Sequence, residues 1–366
     1  MHALKRFGTA FGGYKMMENY PVPECGQDDI ILEIKAAAIC GADMKHWGVD
    51  NGYDDTNITP DQQQSVRGHE FAGEIVKVGE NVKDWHIGQR VVSDNSAHVC
   101  GVCPACEQGD FLCCEHKVNL GLDNNTWGGG FSKYCKVPGE ILAIHKHAIW
   151  EIPEGIKYEE ACVLDPICNA YKAVAQQSHL IPGQDVVVFG TGPLGLFSVQ
   201  VAKLMGAVNI VMVGLDDDVK VRFGVAKELG ATHCVNGSKE DVVARCTEIC
   251  GRDNLGLVIE CSGANIALKQ AIEMTRPNAE IVRVGMGFKP LEFSINDITA
   301  WNKSIIGHMA YDSTSWRNCI RLLQSGQIKV QPMITHRLGL SQWQEGFDKM
   351  AKKEAIKVIF HYDYED

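Results

Sequence analysis

No stretch of apolar side chains in this chain of 366 residues approaches the length of a membrane span. A transmembrane helix needs roughly 20 such residues in succession, whereas Asp185 to Gly190 and Asn209 to Val213 are the length of buried strands. Basic charge is not in excess either. Lys and Arg number 35 against 46 Asp and Glu, for a net charge of -11, and the pI is near 5.6. A partner such as nucleic acid or an anionic membrane needs a concentrated basic surface, so the charge argues against both and a small-molecule partner fits better. Internal repeats and low-complexity tracts are also missing, apart from the short acidic run Asp216 to Asp218. The first residues, Met1 to Phe7, lack the apolar core of a secretory signal, and many of the 15 cysteines stand singly in apolar segments. The expected location is a reducing cytoplasm.

Cysteine is plentiful, and four of the cysteines form a pattern. Cys100, Cys103, Cys106 and Cys114 are spaced C-x2-C-x2-C-x7-C in one short loop. Thiolates repeating every third residue converge on a point rather than facing in pairs, so the loop reads as a tetrahedral all-thiolate zinc site rather than as disulfides. Four protein ligands saturate zinc and leave no place for a substrate. The expected role is a structural clip.

The chain exceeds the usual size of one hydrophobic core, and 45% hydrophobic residues supply enough material for two domains. From Gly26 to Lys136, short β-branched runs such as Ile30 to Ile34, Glu74 to Val78 and Arg90 to Val92 stand among Gly, Asp and Asn. This predicts an irregular β domain. From Asp185 strands and helices alternate. Strands are expected at Val186 to Phe189, Asn209 to Val213, Thr232 to Val235, Leu257 to Glu260 and Glu280 to Val284, with helices at Leu194 to Met205, Val219 to Leu229 and Ile266 to Met274. Such a series makes a doubly wound parallel sheet. After about Ser304 it stops, and the tail, with helices at Trp316 to Ser325 and Ser341 to Met350, is expected to pack on the first domain.

Gly190-Thr191-Gly192-Pro193-Leu194-Gly195 follows a strand and opens a helix, the context in which G-x-G-x-x-G signals a dinucleotide. Gly190 permits the tight turn, Gly192 lets backbone approach a pyrophosphate, and Gly195 lets the helix pack closely on the sheet. The acid expected at the end of the next strand is displaced, because Gly214 stands near that place. Asp216, with Asp217 and Asp218 after it, can supply a carboxylate that repels a 2′-phosphate, while Lys220 and Arg222 can attract one. Asp216 is taken as the candidate, and NAD is favoured over NADP.

A second metal site is suggested by Cys40 and the pair His69-Glu70, which offer soft and borderline ligands from the same domain. With one thiolate and one imidazole beside carboxylates, a coordination position can stay open for chemistry.

Gly68-His69-Glu70 followed by Gly73, the four-cysteine loop, Gly190 to Gly195 and Thr335-His336-Arg337 together resemble the zinc-dependent medium-chain dehydrogenase/reductase superfamily over essentially the whole chain. The single cysteine at the second site, with Asp165-Pro166 where polyol dehydrogenases have Glu-Pro, is most similar to the sorbitol, threonine and sugar-alcohol dehydrogenase branch. The resemblance implies an α/β protein: a β-rich GroES-like catalytic domain from residues 1–166 and 304–366, and a Rossmann dinucleotide-binding domain from 167–303. It implies two zinc ions per chain. Cys40 and His69 match catalytic zinc ligands, Asp165 takes the remaining ligand place, directly or through water, and Glu70 ligates or approaches on ligand exchange. Asp43 matches a residue that orients the zinc-bound His. The four-cysteine loop holds the structural zinc.

Two departures concern the proton. Ala42 stands where relatives carry Ser or Thr, whose hydroxyl passes the alcohol proton outward, and Lys45, followed by His46, stands where many have His. Lys45 can perturb the bound alkoxide or contact a substrate hydroxyl or phosphate. The implied activity is oxidation of a secondary hydroxyl of a sugar alcohol to a ketose with NAD(P), or of a polyol phosphate or sugar acid, by a homodimer or homotetramer. Against it stand a zinc-ribbon binding protein without catalysis, which the acidic charge disfavours, and a zinc-free quinone reductase, which Cys40, His69 and Asp165 disfavour.

Overall fold

The computed structural model describes residues 1–7, 13–44, 47, 64–123, 127–287 and 289–365. They form two compact units, one of Met1–Asp165, Asp312–Trp316 and Ile334–Asp366, the other of Pro166–Tyr311 and Arg317–Met333. Among the described residues no helix is long and apolar enough to cross a membrane.

The first unit is built on a sheet in the order Ile334–Gly339, Lys357–His361, Ile30–Ala38, Glu70–Val78, Arg90–Ser93 and Ile149–Glu151, with Tyr134–Val137 pairing Ile30–Ala38 as well. The two C-terminal strands run parallel, and the other pairs are antiparallel. Ile30, Leu32 and Ile34 are buried on the central strand, while Glu33 and Lys35 beside them are partly exposed. Its pairing shifts register between Ile34 and Ala36, opposite Gly73. A Cβ on Gly73 would overlap the Glu33 carbonyl, which explains a glycine in the middle of a strand. Below the sheet Phe131, Phe347 and Phe360 pack edge to face, with Phe131 and Phe360 centroids 5.5 Å apart.

The second unit carries the expected doubly wound sheet. Its order is His233–Asn236, Ile210–Gly214, Asp185–Phe189, Leu255–Glu260, Glu280–Arg283 and Ser304–Gly307, all parallel. Asp185–Phe189 and Leu255–Glu260 flank the point where strand order reverses, the place at which such sheets bind dinucleotides. The helices Pro193–Leu204, Arg222–Leu229 and Asn265–Met274 lie close to their expected positions. Helix Val242–Cys250 escaped the sequence reading; Asp241 caps it by accepting the Ala244 N–H at 3.0 Å.

The boundary expected at 303/304 falls elsewhere. Ser304–Gly307 adds a sixth strand to the parallel sheet, with Ile305 opposite Ile281 and Ile306 opposite Val282. It covers an edge that Glu280–Arg283 would otherwise leave bare. Lys303 anchors it, its buried ammonium donating to the Ile272 and Thr275 carbonyls at the end of helix Asn265–Met274. The helix expected at Trp316 to Ser325 is Ser313–Gln324, and residues from Arg317 group with the second unit rather than the first.

Candidate metal centres and dinucleotide loop

The four-cysteine loop closes on itself. Helix Pro104–Glu107 starts directly after Cys103, with Pro104 fixing its first turn, and the 3₁₀ turn Phe111–Cys113 delivers Cys114 back to the start. The four Sγ atoms lie within 4.8 Å of one another, Cys100 being 3.9 Å from Cys106 and 3.6 Å from Cys114. A tetrahedral zinc with Zn–S of about 2.3 Å would hold its sulfurs about 3.8 Å apart, so the donor set fits that ion. The Cys100 and His116 N–H groups point at Cys114 Sγ, both at 3.4 Å. Backbone N–H donation from Val102 lowers the Cys100 thiol to about 7, while burial raises Cys106 to about 12. None of the 15 cysteines is joined in a disulfide.

The second cluster is assembled by strand pairing. Ala38 lies opposite Glu70 in the antiparallel ladder, so Cys40, just past the end of its strand, meets His69 and Glu70 at the start of theirs. Gly68 turns the chain into them at φ +91°, a conformation open to glycine, and a Cβ there would strike the Phe131 ring. The ligand atoms of Cys40, His69 and Glu70 lie within 4.8 Å of one another. Glu70 Oε1 is buried with no hydrogen-bond partner, the state expected of an oxygen whose partner is a cation. Soft thiolate, imidazole and carboxylate on one point fit zinc. Burial raises the Cys40 thiol, so its service as a ligand depends on the metal displacing its proton.

Sequence reading missed Lys357. Ile359 pairs with Ala38, which places Lys357 at the same end of the sheet, 1% exposed. Its ammonium contacts Glu70 Oε2 and donates to the Ile39 carbonyl at 3.1 Å. Burial lifts the Glu70 carboxyl well above its usual range; burial also acts to lower the Lys357 ammonium, but attraction to Glu70 and Cys40 outweighs it and holds that group above its usual value. We take the pair as ionised, because two neutral groups sealed from water would keep only a weak hydrogen bond in place of a charged one. Thr335, in the Thr335-His336-Arg337 motif, pins this strand by donating to the Lys357 carbonyl and accepting from the Ile356 N–H, both at 3.1 Å. Lys357→Met, which strands the Glu70 carboxylate, is expected to cost about 3–5 kcal/mol in chemical denaturation of the metal-free protein. Adding Glu70→Gln should recover most of that loss.

Asp165 is not among the three donors that converge. It accepts from Asn95 Nδ2 at 3.2 Å, and its charge adds to the rise of both Cys40 and Glu70. Asp43 stands beside His69, its Oδ1 3.9 Å from Nδ1, and its Oδ2 accepts the Cys40 N–H at 3.0 Å. Lys45 and His46 lie outside the described residues.

In the second unit Gly190 turns at φ +93°, and its N–H binds the Val213 carbonyl at 3.0 Å. Thr191 is buried, Gly192 precedes Pro193 at the start of helix Pro193–Leu204, and Leu194 continues it. A Cβ on Gly195 would overlap the Gly190 carbonyl oxygen, whereas one on Gly192 would meet nothing within 4 Å. The helix therefore needs glycine at 195 to pack, and the backbone at 192 is open to a ligand. Gly214 has no room for the missing acid: a Cβ there would lie 2.6 Å from Thr191 Cγ2 and 3.1 Å from Asp218 Oδ2. Asp216 is exposed, bound to Asn236 Nδ2 at 2.6 Å and Lys239 Nζ at 3.0 Å, contacts that hold its carboxyl below the usual range. Asp218 is buried, accepting from the Leu215 N–H at 2.8 Å and facing Arg222 at 3.3 Å.

Comparison with known proteins follows the same division. Residues 26–147 match the alcohol dehydrogenase GroES-like domain, and residues 193–325 match the zinc-binding dehydrogenase family. Over 366 residues the chain is 77% identical to the uncharacterized zinc-type alcohol dehydrogenase-like protein YdjL of Escherichia coli strain K12, with 100% of each covered. Over 360 residues it is 30% identical to a sorbitol dehydrogenase of Halalkalibacterium halodurans, covering 98% of each. The chain belongs to the zinc-dependent medium-chain dehydrogenase/reductase superfamily, polyol branch. A solved structure of that superfamily, the 2R,3R-butanediol dehydrogenase of Bacillus subtilis, matches with a TM-score of 0.84 at 29% identity, covering 99% of each chain. Membership in the superfamily makes this chain a zinc-type alcohol dehydrogenase-like oxidoreductase and removes the zinc-ribbon alternative.

Proposed function

We propose that this zinc-type dehydrogenase oxidises a secondary hydroxyl of a sugar alcohol to a ketose, with NAD as hydride acceptor. The observation that carries the reading is the three-donor set of Cys40, His69 and Glu70, in which one buried carboxylate oxygen has no protein partner. Zinc bound there supplies a Lewis acid that lowers the pKa of an alcohol toward neutrality. Cys40 and His69 are the fixed ligands. Glu70 would reach the metal through Oε1, and Asp165 would act beside it through water. The four-cysteine site has no open position and would hold the structural zinc.

Ala42 has no hydroxyl to carry the alcohol proton away, so another group must. A polyol brings neighbouring hydroxyls of its own, which supports that substrate class over a simple alcohol. The Gly190 to Gly195 loop holds the dinucleotide pyrophosphate, and the carboxylates of Asp216 and Asp218 disfavour a 2′-phosphate. The strand Ser304–Gly307 forms one edge of its sheet, with Ile305 and nearby Trp301 and Met309 exposed. Such an edge favours pairing with a second copy, hence a homo-oligomer. Fifteen cysteines without a disulfide among them fit the reducing cytoplasm.

The test is a panel of polyols, polyol phosphates and sugar acids assayed with NAD and with NADP. The expected result is turnover on a polyol, faster with NAD. Turnover confined to the phosphates or acids would move the substrate class, and inactivity of a chain carrying two zinc ions across all three classes would overturn the reading.

A further inference from the structure

We propose that Arg67 is a positioning residue for the second metal site, acting on His69 through Asp43; the inference rests on the Cys40, His69 and Glu70 reading above. Arg67 is only 4% exposed and Asp43 is fully buried. A guanidinium is rarely sealed in a core unless something there requires it, because a buried ion pair gives less stability than an apolar pair of the same volume. What surrounds it identifies the requirement.

Three buried polar atoms meet at one place, and none has a hydrogen-bond partner: Asp43 Oδ1, Arg67 Nε and His69 Nδ1. Arg67 Nε is 3.7 Å from Asp43 Oδ1, and His69 Nδ1 is 3.9 Å from the same oxygen. Both distances exceed an N–H···O bond by less than about 1 Å, so a small closing motion satisfies all three atoms at once. A carboxylate oxygen has two lone pairs and can accept from both.

The other contacts in this group are already made. Asp43 Oδ2 accepts the N–H of Cys40, itself a metal-ligand candidate, at 3.0 Å. The Tyr14 hydroxyl donates to the Asp43 carbonyl at 2.8 Å, and Arg67 Nη1 donates to the Leu122 carbonyl at 3.0 Å. The carboxylate is thus held on one side by the ligand segment and the guanidinium on its far side by the backbone. What is left to close on Asp43 Oδ1 is Arg67 Nε and the His69 imidazole. When His69 gives Nε2 to a metal, its Nδ1–H needs an acceptor, and Asp43 Oδ1 is the one in place. Arg67 compensates the charge of that carboxylate and fixes the oxygen where the imidazole must find it.

The test uses the full-length protein and zinc, with affinity at each site measured by competition with a chromophoric chelator. Arg67→Met is expected to weaken the second site about 10- to 100-fold while leaving the four-cysteine site unchanged. Arg67→Lys should recover most of the loss, and Arg67→Met added to Asp43→Asn should weaken zinc no further than Asp43→Asn alone. Wild-type affinity in Arg67→Met, or a full additional loss in the double variant, would overturn the inference. If Arg67→Met fails to fold, Arg67→Gln is read by the same two outcomes. A wild-type chain that binds only the four-cysteine zinc would instead overturn the second-site reading, and this inference with it.

Discussion

Replacing Cys40 by serine should lower turnover by roughly 10³-fold or more while the folded chain keeps its four-cysteine metal. The size of the effect follows from what the metal does to an alcohol. Shifting the alcohol's ionisation toward neutrality spans several pKa units, and each unit lost is a factor of ten in the reactive form. Serine keeps the volume but replaces a soft thiolate with a hydroxyl that stays protonated, leaving His69 and Glu70 as a two-donor site of much lower affinity. Cys40 lies just past the end of its strand, outside the core contacts of Ile30 to Ala38, so the fold should tolerate the change. The assay is steady-state dinucleotide reduction on the best polyol, with circular dichroism as the check on folding. Full turnover in Cys40→Ser would remove the catalytic role assigned to this cluster.

Cys103→Ser should have the opposite profile, a large loss of stability with the second metal retained. Structural zinc in small domains contributes an apparent 10–16 kcal/mol of folding free energy, because the site does not exist in the unfolded chain. Here part of the lobe also packs on the core of the first unit, through Val99, Cys106, Cys114 and Leu120, so some order should survive. A loss of at least about 3 kcal/mol is expected, or roughly 6–12 °C in Tm for a unit of this size. Limited proteolysis should then cut between Cys100 and Cys114. An unchanged Tm with one zinc fewer would mean that the loop folds without its metal.

The two features easiest to read in the sequence are local. Four ligands within the Cys100 to Cys114 loop and a glycine loop between a strand and a helix carry their geometry in their spacing. The second metal site is less legible because its members are joined by strand pairing, which spacing does not encode. Lys357 is 287 residues from Glu70, and nothing in either segment announces the contact. Arg67 reads as one more loop residue until Asp43 is seen against it. The missing acid at Gly214 is visible in the sequence as an absence, but its cause, the Thr191 methyl and the Asp218 carboxylate filling that space, lies in tertiary packing. The strand Ser304–Gly307 looks like tail in the sequence because its exposed side chains give no buried-strand pattern; its place comes from the ladder with Glu280–Arg283.

Zinc content per folded chain, measured by mass spectrometry of the metal in wild type and in Cys40→Ser, tests the central claim most directly. The account predicts two zinc ions in the wild type and one in the variant. One zinc in the wild type, or two in both proteins, would contradict it.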